Sequence, residues 1–225
     1  MTKLSCFTRA TQPKCLCASP YAKLIGTLDG MFPDFGHHSE AEMCGLWMHP
    51  IKILDGFWLR FKDFESDNVD RWILADEYTC LPTGNRFEHN CGLGHTRVTI
   101  TRDQIAPEEA AGIVLTYRIV NHDEKPRKIE AEWLARTELY PVWYSLDCKA
   151  FEDGRDQGAW DEAAQTFRAK DGKNPWFAAL RSAVKPDSVQ TGDALFGPQR
   201  TQGQGTSVAL TFGMTFAAHE ERTLT

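Results

Sequence analysis

Residues 112–143, "GIVLTYRIVNHDEKPRKIEAEWLARTELYPVW", decide the fold class. Ile113, Leu115, Tyr117 and Ile119 recur at every second position, opposite Val114, Thr116, Arg118 and Val120. That is the period of a strand, whose successive side chains point to opposite faces. Both faces carry enough apolar area for the strand to sit inside a sandwich. The run from Asn121 to Pro126 then breaks the pattern with turn formers. After it, Ile129, Ala131, Trp133 and Ala135 alternate with Glu130, Glu132, Leu134 and Arg136. The two segments are expected to be neighbouring antiparallel strands joined across that turn.

The same period runs through much of the chain. Val98 and Ile100 alternate with Thr99 and Thr101, and Val208, Leu210, Phe212, Met214 and Phe216 share one face late in the sequence. Earlier strands are expected at Leu24–Leu28, Ile51–Leu54, Phe57–Phe61 and Trp72–Tyr78, with another at Trp176–Leu180. Asp55-Gly56 reads as a hairpin turn between two of them. Helical periodicity is nearly absent, and Pro107–Ala111 and Asp161–Gln165 are each read as one or two turns of helix. Many short strands with few short helices predict an all-β, antiparallel sandwich.

Residues 145–158 and 185–205 read as long loops, the second carrying two prolines and four glycines. Residues 1–22 form an unpatterned leader, and 23–225 a single β-sandwich domain. Arg222-Thr223-Leu224-Thr225 opens a further strand and stops. A strand needs a partner, so the natural polypeptide is expected to continue, with this chain as its N-terminal part.

Composition narrows the function classes. The 225 residues are 42% hydrophobic and 25% charged, within the usual range for globular proteins. A formal charge of −6 with no Lys/Arg cluster argues against a nucleic-acid partner. No run approaches the ~20 apolar residues of a membrane helix, and the N-terminus lacks a secretory apolar core. Seven cysteines at irregular spacing fit free thiols in a reducing compartment, which points to the cytoplasm.

Candidate chemistry concentrates in residues 36–61, rich in His, Trp and acids. Cys44 with His49 and Cys91 with His95 match no familiar zinc spacing, so no metal site is expected. Cys91-Gly92-Leu93-Gly94 lacks the third glycine and the following helix of a nucleotide loop, and no cofactor is expected. Paired carboxylates would suit glycoside hydrolysis. However, Asp29-Gly30 and Asp55-Gly56 are turn dipeptides, and the chain's 31 acids are spread throughout. Its seven tryptophans suit both sandwich cores and stacking against sugar rings. Trp133 and Trp176 are assigned to the core, Trp58 to another layer or a partner surface, and Trp47 and Trp143 to either role.

Three segments carry a family resemblance. "KLIGTLDGMFPDFGHHSEAEMCGLWMHPIKILDGFWLRF" (23–61), residues 112–143 and "VALTFGMTFAAHEERTLT" (208–225) resemble, in that order, the N-terminal β-domain of bacterial and archaeal glycogen-debranching enzymes. These are the amylo-α-1,6-glucosidases among the six-hairpin glycosidases. The resemblance implies a galactose-mutarotase-like supersandwich preceding an (α/α)6 barrel that carries both catalytic carboxylates. It implies an α-glucan substrate, the barrel as partner within the same polypeptide, and no catalytic residue in this chain. Asp34, His37, His38, Trp47 and His49 match the family's early segment in residue type only. With Trp143 they are candidates for contacting the barrel or lining its cleft, with structural hydrogen bonding and packing as the rival role. Two other functions remain open. One is a free carbohydrate-binding module using Trp47 and Trp143; the other is an aldose-mutarotase-like enzyme with His37, His49 and Asp34 as acid and base.

Overall fold

The computed structural model describes residues 4–6, 14–33, 43–65, 69–90, 97–141, 148–198 and 204–225. Its spine is β11 (Arg127–Pro141), the strand that the opening stretch foretells, which pairs antiparallel with β5 (Ile51–Asp63) and with β16 (Ser207–Phe216). From these three an eight-stranded sheet extends. Beyond β16 lies β15 (Ser188–Gly192); beyond β5 come β4 (Gly45–Met48), β3 (Lys23–Thr27) and β2 (Lys14–Ala18), with β6 (Val69–Trp72) also paired to β5.

The second sheet has six strands. It runs in the order β1 (Leu4–Cys6), β7 (Glu77–Leu81), β8 (Gly84–Asn90), β9 (Val98–Ile105), β10 (Val114–Asn121) and β17 (Glu221–Leu224). A small sheet of β12 (Gln157–Asp161), β13 (Thr166–Lys170) and β14 (Phe177–Arg181) completes the described residues. All pairings are antiparallel, and the described residues contain no helix. The all-β, sandwich-like expectation holds.

One apolar core joins the layers. Phe57 and Phe61 of β5, Ile129 and Ala131 of β11, and alternate residues of β16 pack with Ile100, Tyr117, Ile119 and Leu224 of the six-stranded sheet. Phe167 and Ala178 of the small sheet join the same cluster. Burying a Phe or Ile side chain stabilises by about 1.5–3 kcal/mol, so the apolar residues of β5, β11 and β16 that meet those of β9 and β10 contribute strongly to stability.

The largest correction concerns β10 and β11, which are not neighbours. β10 pairs with β9 and β17, whereas β11 lies in the other sheet. The turn between them is an arch from one sheet to the other, and a second arch, from β16 to β17, lies against it. The buried Asn121 ties them: its Nδ2 donates to Lys125 O (2.9 Å) and Ala217 O (2.8 Å), and its backbone N donates to Glu220 O (2.9 Å). Arg127 anchors the first arch to β5 through Asp63, at 2.6 Å, and also holds Asp123 at 2.6 Å. Period two is common to hairpins and arches, so alternation alone does not distinguish them. The closing residues of the chain find their partner in β10.

Other expectations shift for local reasons. Asp55-Gly56 is not a turn, because β5 runs straight through it and the hairpin to β4 turns at His49-Pro50. Gly56 lies against the Phe32 ring, which a Cβ would approach to 2.8 Å, and the Asp55 carboxylate is held by cations inside the protein. Trp72–Tyr78 divides between sheets: Ile73 N bonds Leu59 O in one, and Asp76 N bonds Glu88 O in the other. Pro107–Ala111 and Asp161–Gln165 are turns rather than helices. The second is a hairpin tip in which Asp161 accepts from Ala164 N and Gln165 adopts φ 49°. Residues 185–205 hide β15, a mostly exposed edge strand with no apolar face to reveal it. The leader contains β1 and β2, the latter burying Cys15 and Cys17 while Leu16 faces outward.

Candidate functional site

Of the six candidate residues, Asp34, His37, His38 and Trp143 lie outside the described residues, as do Cys91 and His95. Trp47 and His49 stand at the β4–β5 hairpin. Trp47 is buried and donates from Nε1 to Met43 O (3.0 Å); the exposed His49 stacks on it at 6.3 Å between ring centroids. Behind the indole, Lys52 Nζ lies 5.7 Å from the ring centroid, which leads inward to a set of buried charges.

A β-bulge builds that set. β11 pairs Arg136 with Gly56 but Thr137 with Leu54, which leaves Asp55 without an opposite residue. A bulge re-aims side chains locally. Here Lys52 Nζ meets Asp55 Oδ1 at 2.7 Å and Arg136 Nε meets Oδ2 at 3.4 Å, all three side chains being at most 4% exposed. Glu138 follows on the same strand and is also buried. Its Oε1 accepts weakly from Gln204 N (3.4 Å), and its Oε2 has no hydrogen-bond partner among the described residues. Gly205 lies flat over this position, where a Cβ would fall 1.9 Å from Thr137 O and 2.9 Å from Glu138 Oε2. Asp156 joins from the neighbouring loop, its Oδ2 accepting from Leu139 N (2.9 Å) and its backbone N donating to Gln204 O (2.9 Å).

Acids outnumber cations in this set, and burial penalises every charge. The pKa of Glu138 is accordingly pushed up to about 9, first by burial and then by the carboxyls of Asp55, Asp153 and Asp156. Asp156 is raised to about 7 and Asp153 to about 6, in both cases mainly by burial. At neutral pH Glu138 is thus an uncharged carboxylic acid beside a carboxyl near its midpoint. Displaced carboxyl pKa values of this kind are frequent at functional sites and are also found in structural networks.

An open cleft of about 330 Å3 adjoins this set, lined by Arg136, Arg155, Asp193, Phe196, Gln204 and Gly205. Arg136 belongs to both features. Besides pairing with Asp55 it donates from Nη1 to Asp193 O (3.0 Å), and its guanidinium carbon lies 4.7 Å from the Phe196 ring centroid. Arg155 forms an ion pair with the Asp193 carboxylate at the rim.

In the sequence Asp55 reads as a turn former, Arg136 as a member of the strand face opposite Trp133 and residues 145–158 as a loop, and no chemical role attaches to Lys52, Glu138, Asp193 or Phe196. The sequence carries no clear signal for this set, because Lys52 between Ile51 and Ile53 and Glu138 between Thr137 and Leu139 have the alternation of ordinary half-exposed strands. Among the described residues no group of three or more His, Cys, Asp or Glu is arranged to hold a metal ion.

A second buried polar centre lies between the sheets. Arg102 is sandwiched between the Phe57 and Phe87 rings (5.3 and 4.1 Å) and donates to Gly30 O at 3.2 and 3.3 Å. It pins the Asp29-Gly30 turn, which does form as the sequence foretells, with Gly30 at φ 81°. Burial, reinforced by Arg102, pushes His89 down to about 3 and keeps that imidazole neutral.

No protein-family model matches the chain, and a search of curated proteins finds no match either.

Proposed function

We propose that this chain is a non-catalytic N-terminal β-domain of an intracellular α-glucan-processing glycoside hydrolase of the glycogen-debranching type. Its two stacked sheets form a galactose-mutarotase-like supersandwich that supports an (α/α)6 catalytic barrel in the same polypeptide. The Trp47–His49 end edges that barrel's cleft.

One observation carries the reading. The three segments that resemble the family are far apart in sequence, yet five of their strands are contiguous in the large sheet, in the order β16, β11, β5, β4, β3. The other two strands of those segments, β10 and β17, pair with each other in the six-stranded sheet, so the resembling segments hold together in both sheets as a shared scaffold would. The buried, enclosed setting of Glu138 also suits a structural rather than a bond-breaking acid.

The test is hydrolysis. Purified chain incubated with limit dextrin or maltooligosaccharides is expected to release no glucose above buffer, and the reading frame beyond the Thr225 codon to encode helical hairpins. Release of glucose that Glu138→Gln or Asp156→Asn abolishes refutes the reading.

A further inference from the structure

We propose that the layer between the two sheets binds a single halide ion, held by Arg102, Tyr117 and Trp133. This site is separate from the function proposed above and does not depend on it.

Strand register brings the three side chains together. Arg102 of β9 and Tyr117 of β10 are directly opposite each other, and both are buried, at 4% and 5% exposure. Trp133 of β11 reaches them from the large sheet. Its ring stacks on Phe57 at 6.1 Å between centroids, and Phe57 is one of the two rings that enclose the Arg102 guanidinium.

The cation at the centre is uncompensated. A guanidinium keeps its charge in a protein interior, and a buried charge without a counter-charge is costly. Nη1 and Nη2 of Arg102 both donate to Gly30 O, whereas Nε has no acceptor among the described residues. No carboxylate of the described residues forms an ion pair with Arg102. Asp29, in the turn that Arg102 pins, commits Oδ1 to the Thr27 hydroxyl and Met31 N instead. The Tyr117 hydroxyl and Trp133 Nε1 are likewise buried without a partner among the described residues. Burial raises the pKa of Tyr117 and the Arg102 and Trp133 donors oppose it, which places those donors close to the hydroxyl although neither completes a hydrogen bond to it.

Ligand class follows from this inventory. A guanidinium N–H, an indole N–H and a phenol O–H all lack an acceptor, and one positive charge lacks a negative one. Water would accept from the donors and leave the charge. A dianion such as sulfate would exceed the single cation and carry a larger desolvation cost. A halide supplies one negative charge, accepts from several directions and brings no donor of its own. Cys15 and His89, the other titratable groups that Arg102 influences, add no charge at neutral pH, because burial pushes the thiol up to about 11 and the imidazole down to about 3.

The test combines thermal melting of the chain in chloride, bromide and sulfate at matched ionic strength with anomalous scattering from a crystal grown in bromide. For a Kd on the order of 10 mM, chloride and bromide should raise the melting temperature saturably, by about 2–4 °C between about 1 and 100 mM. Sulfate, the stronger general stabiliser, should raise it less. The anomalous peak is expected between Arg102, Tyr117 and Trp133. Tyr117→Phe removes only the hydroxyl and should shift the halide midpoint about fivefold or more upward, while Arg102→Met should abolish the halide response. The bromide crystal reads the site directly if Arg102→Met fails to fold. Stabilisation by sulfate equal to that by chloride, a halide midpoint unchanged in Tyr117→Phe, or a bromide crystal without an anomalous peak at this place would each overturn the site. None of these outcomes touches the debranching-domain reading, which rests on hydrolysis and on the downstream frame.

Discussion

Glu138→Gln isolates the proton that the fold stores. In the folded chain Glu138 is raised from 4.5 to about 9, whereas in the unfolded chain it returns to the ordinary range near ~4.3. Between those values the unfolded chain has released a proton that the folded chain still holds. Stability therefore falls with rising pH, by up to about 1.4 kcal/mol per pH unit from this group. Below the unfolded value both states are protonated and the dependence vanishes. Glutamine preserves the size and the neutral hydrogen-bonding character but cannot ionise. Urea denaturation followed by tryptophan fluorescence should then give similar stabilities near pH 5, within about 1 kcal/mol. Near pH 8.5 the variant should be the more stable by several kcal/mol, with about 5 kcal/mol as the upper bound set by the slope. Asp153 and Asp156 are raised in both proteins, so their own losses of stability with rising pH cancel in the difference. Parallel pH profiles for the two proteins would show that Glu138 is ionised in the native state and refute the account of the buried set.

Three further outcomes follow from single contacts. Lys52→Met removes the cation 2.7 Å from an Asp55 side chain that is 0% exposed, and should cost about 3–5 kcal/mol in denaturant unfolding; a loss below about 1 kcal/mol contradicts the buried pair. Gly56→Ala puts a methyl 2.8 Å from the buried Phe32 ring and should destabilise by about 1–3 kcal/mol, so an unchanged melting temperature would mean that β5 does not pass there. Asn121→Ala deletes the side-chain bonds to Lys125 O and Ala217 O, at a cost of about 1–3 kcal/mol. Hydrogen exchange at the Asp123 amide, which donates to Asn121 Oδ1, should accelerate; unaltered protection would argue against the tied arches.

Much of the strand content was legible because burial imposes period two wherever one face meets a core. β16 shows this best, with Val208, Leu210, Phe212, Met214 and Phe216 all buried. β15 left no such trace, since an edge strand that is mostly exposed puts no constraint on its side chains. Asp55-Gly56 misled for the opposite reason. The dipeptide is turn-prone in isolation, yet Asp55 is consumed by Lys52 and Arg136, and Gly56 by the space that Phe32 needs. The charged set stayed hidden because Lys52 and Glu138 read as ordinary outward positions until a bulge turned them inward.

The amino-acid order by itself determined that the chain makes antiparallel sheets with apolar faces turned inward, because alternation of residue type is a local property and burial rewards it wherever the strand ends up. It also placed the Asp29-Gly30 turn, since only a local backbone preference is at stake there. Which strands are neighbours, whether Asn121 heads a hairpin or an arch, and which acids have raised pKa values were decided only in three dimensions. Sheet pairing and pKa both arise from groups far apart along the chain, as with Asp63 and Arg127 or Glu138 and Asp55, and their interaction exists only once folding has expelled the water between them.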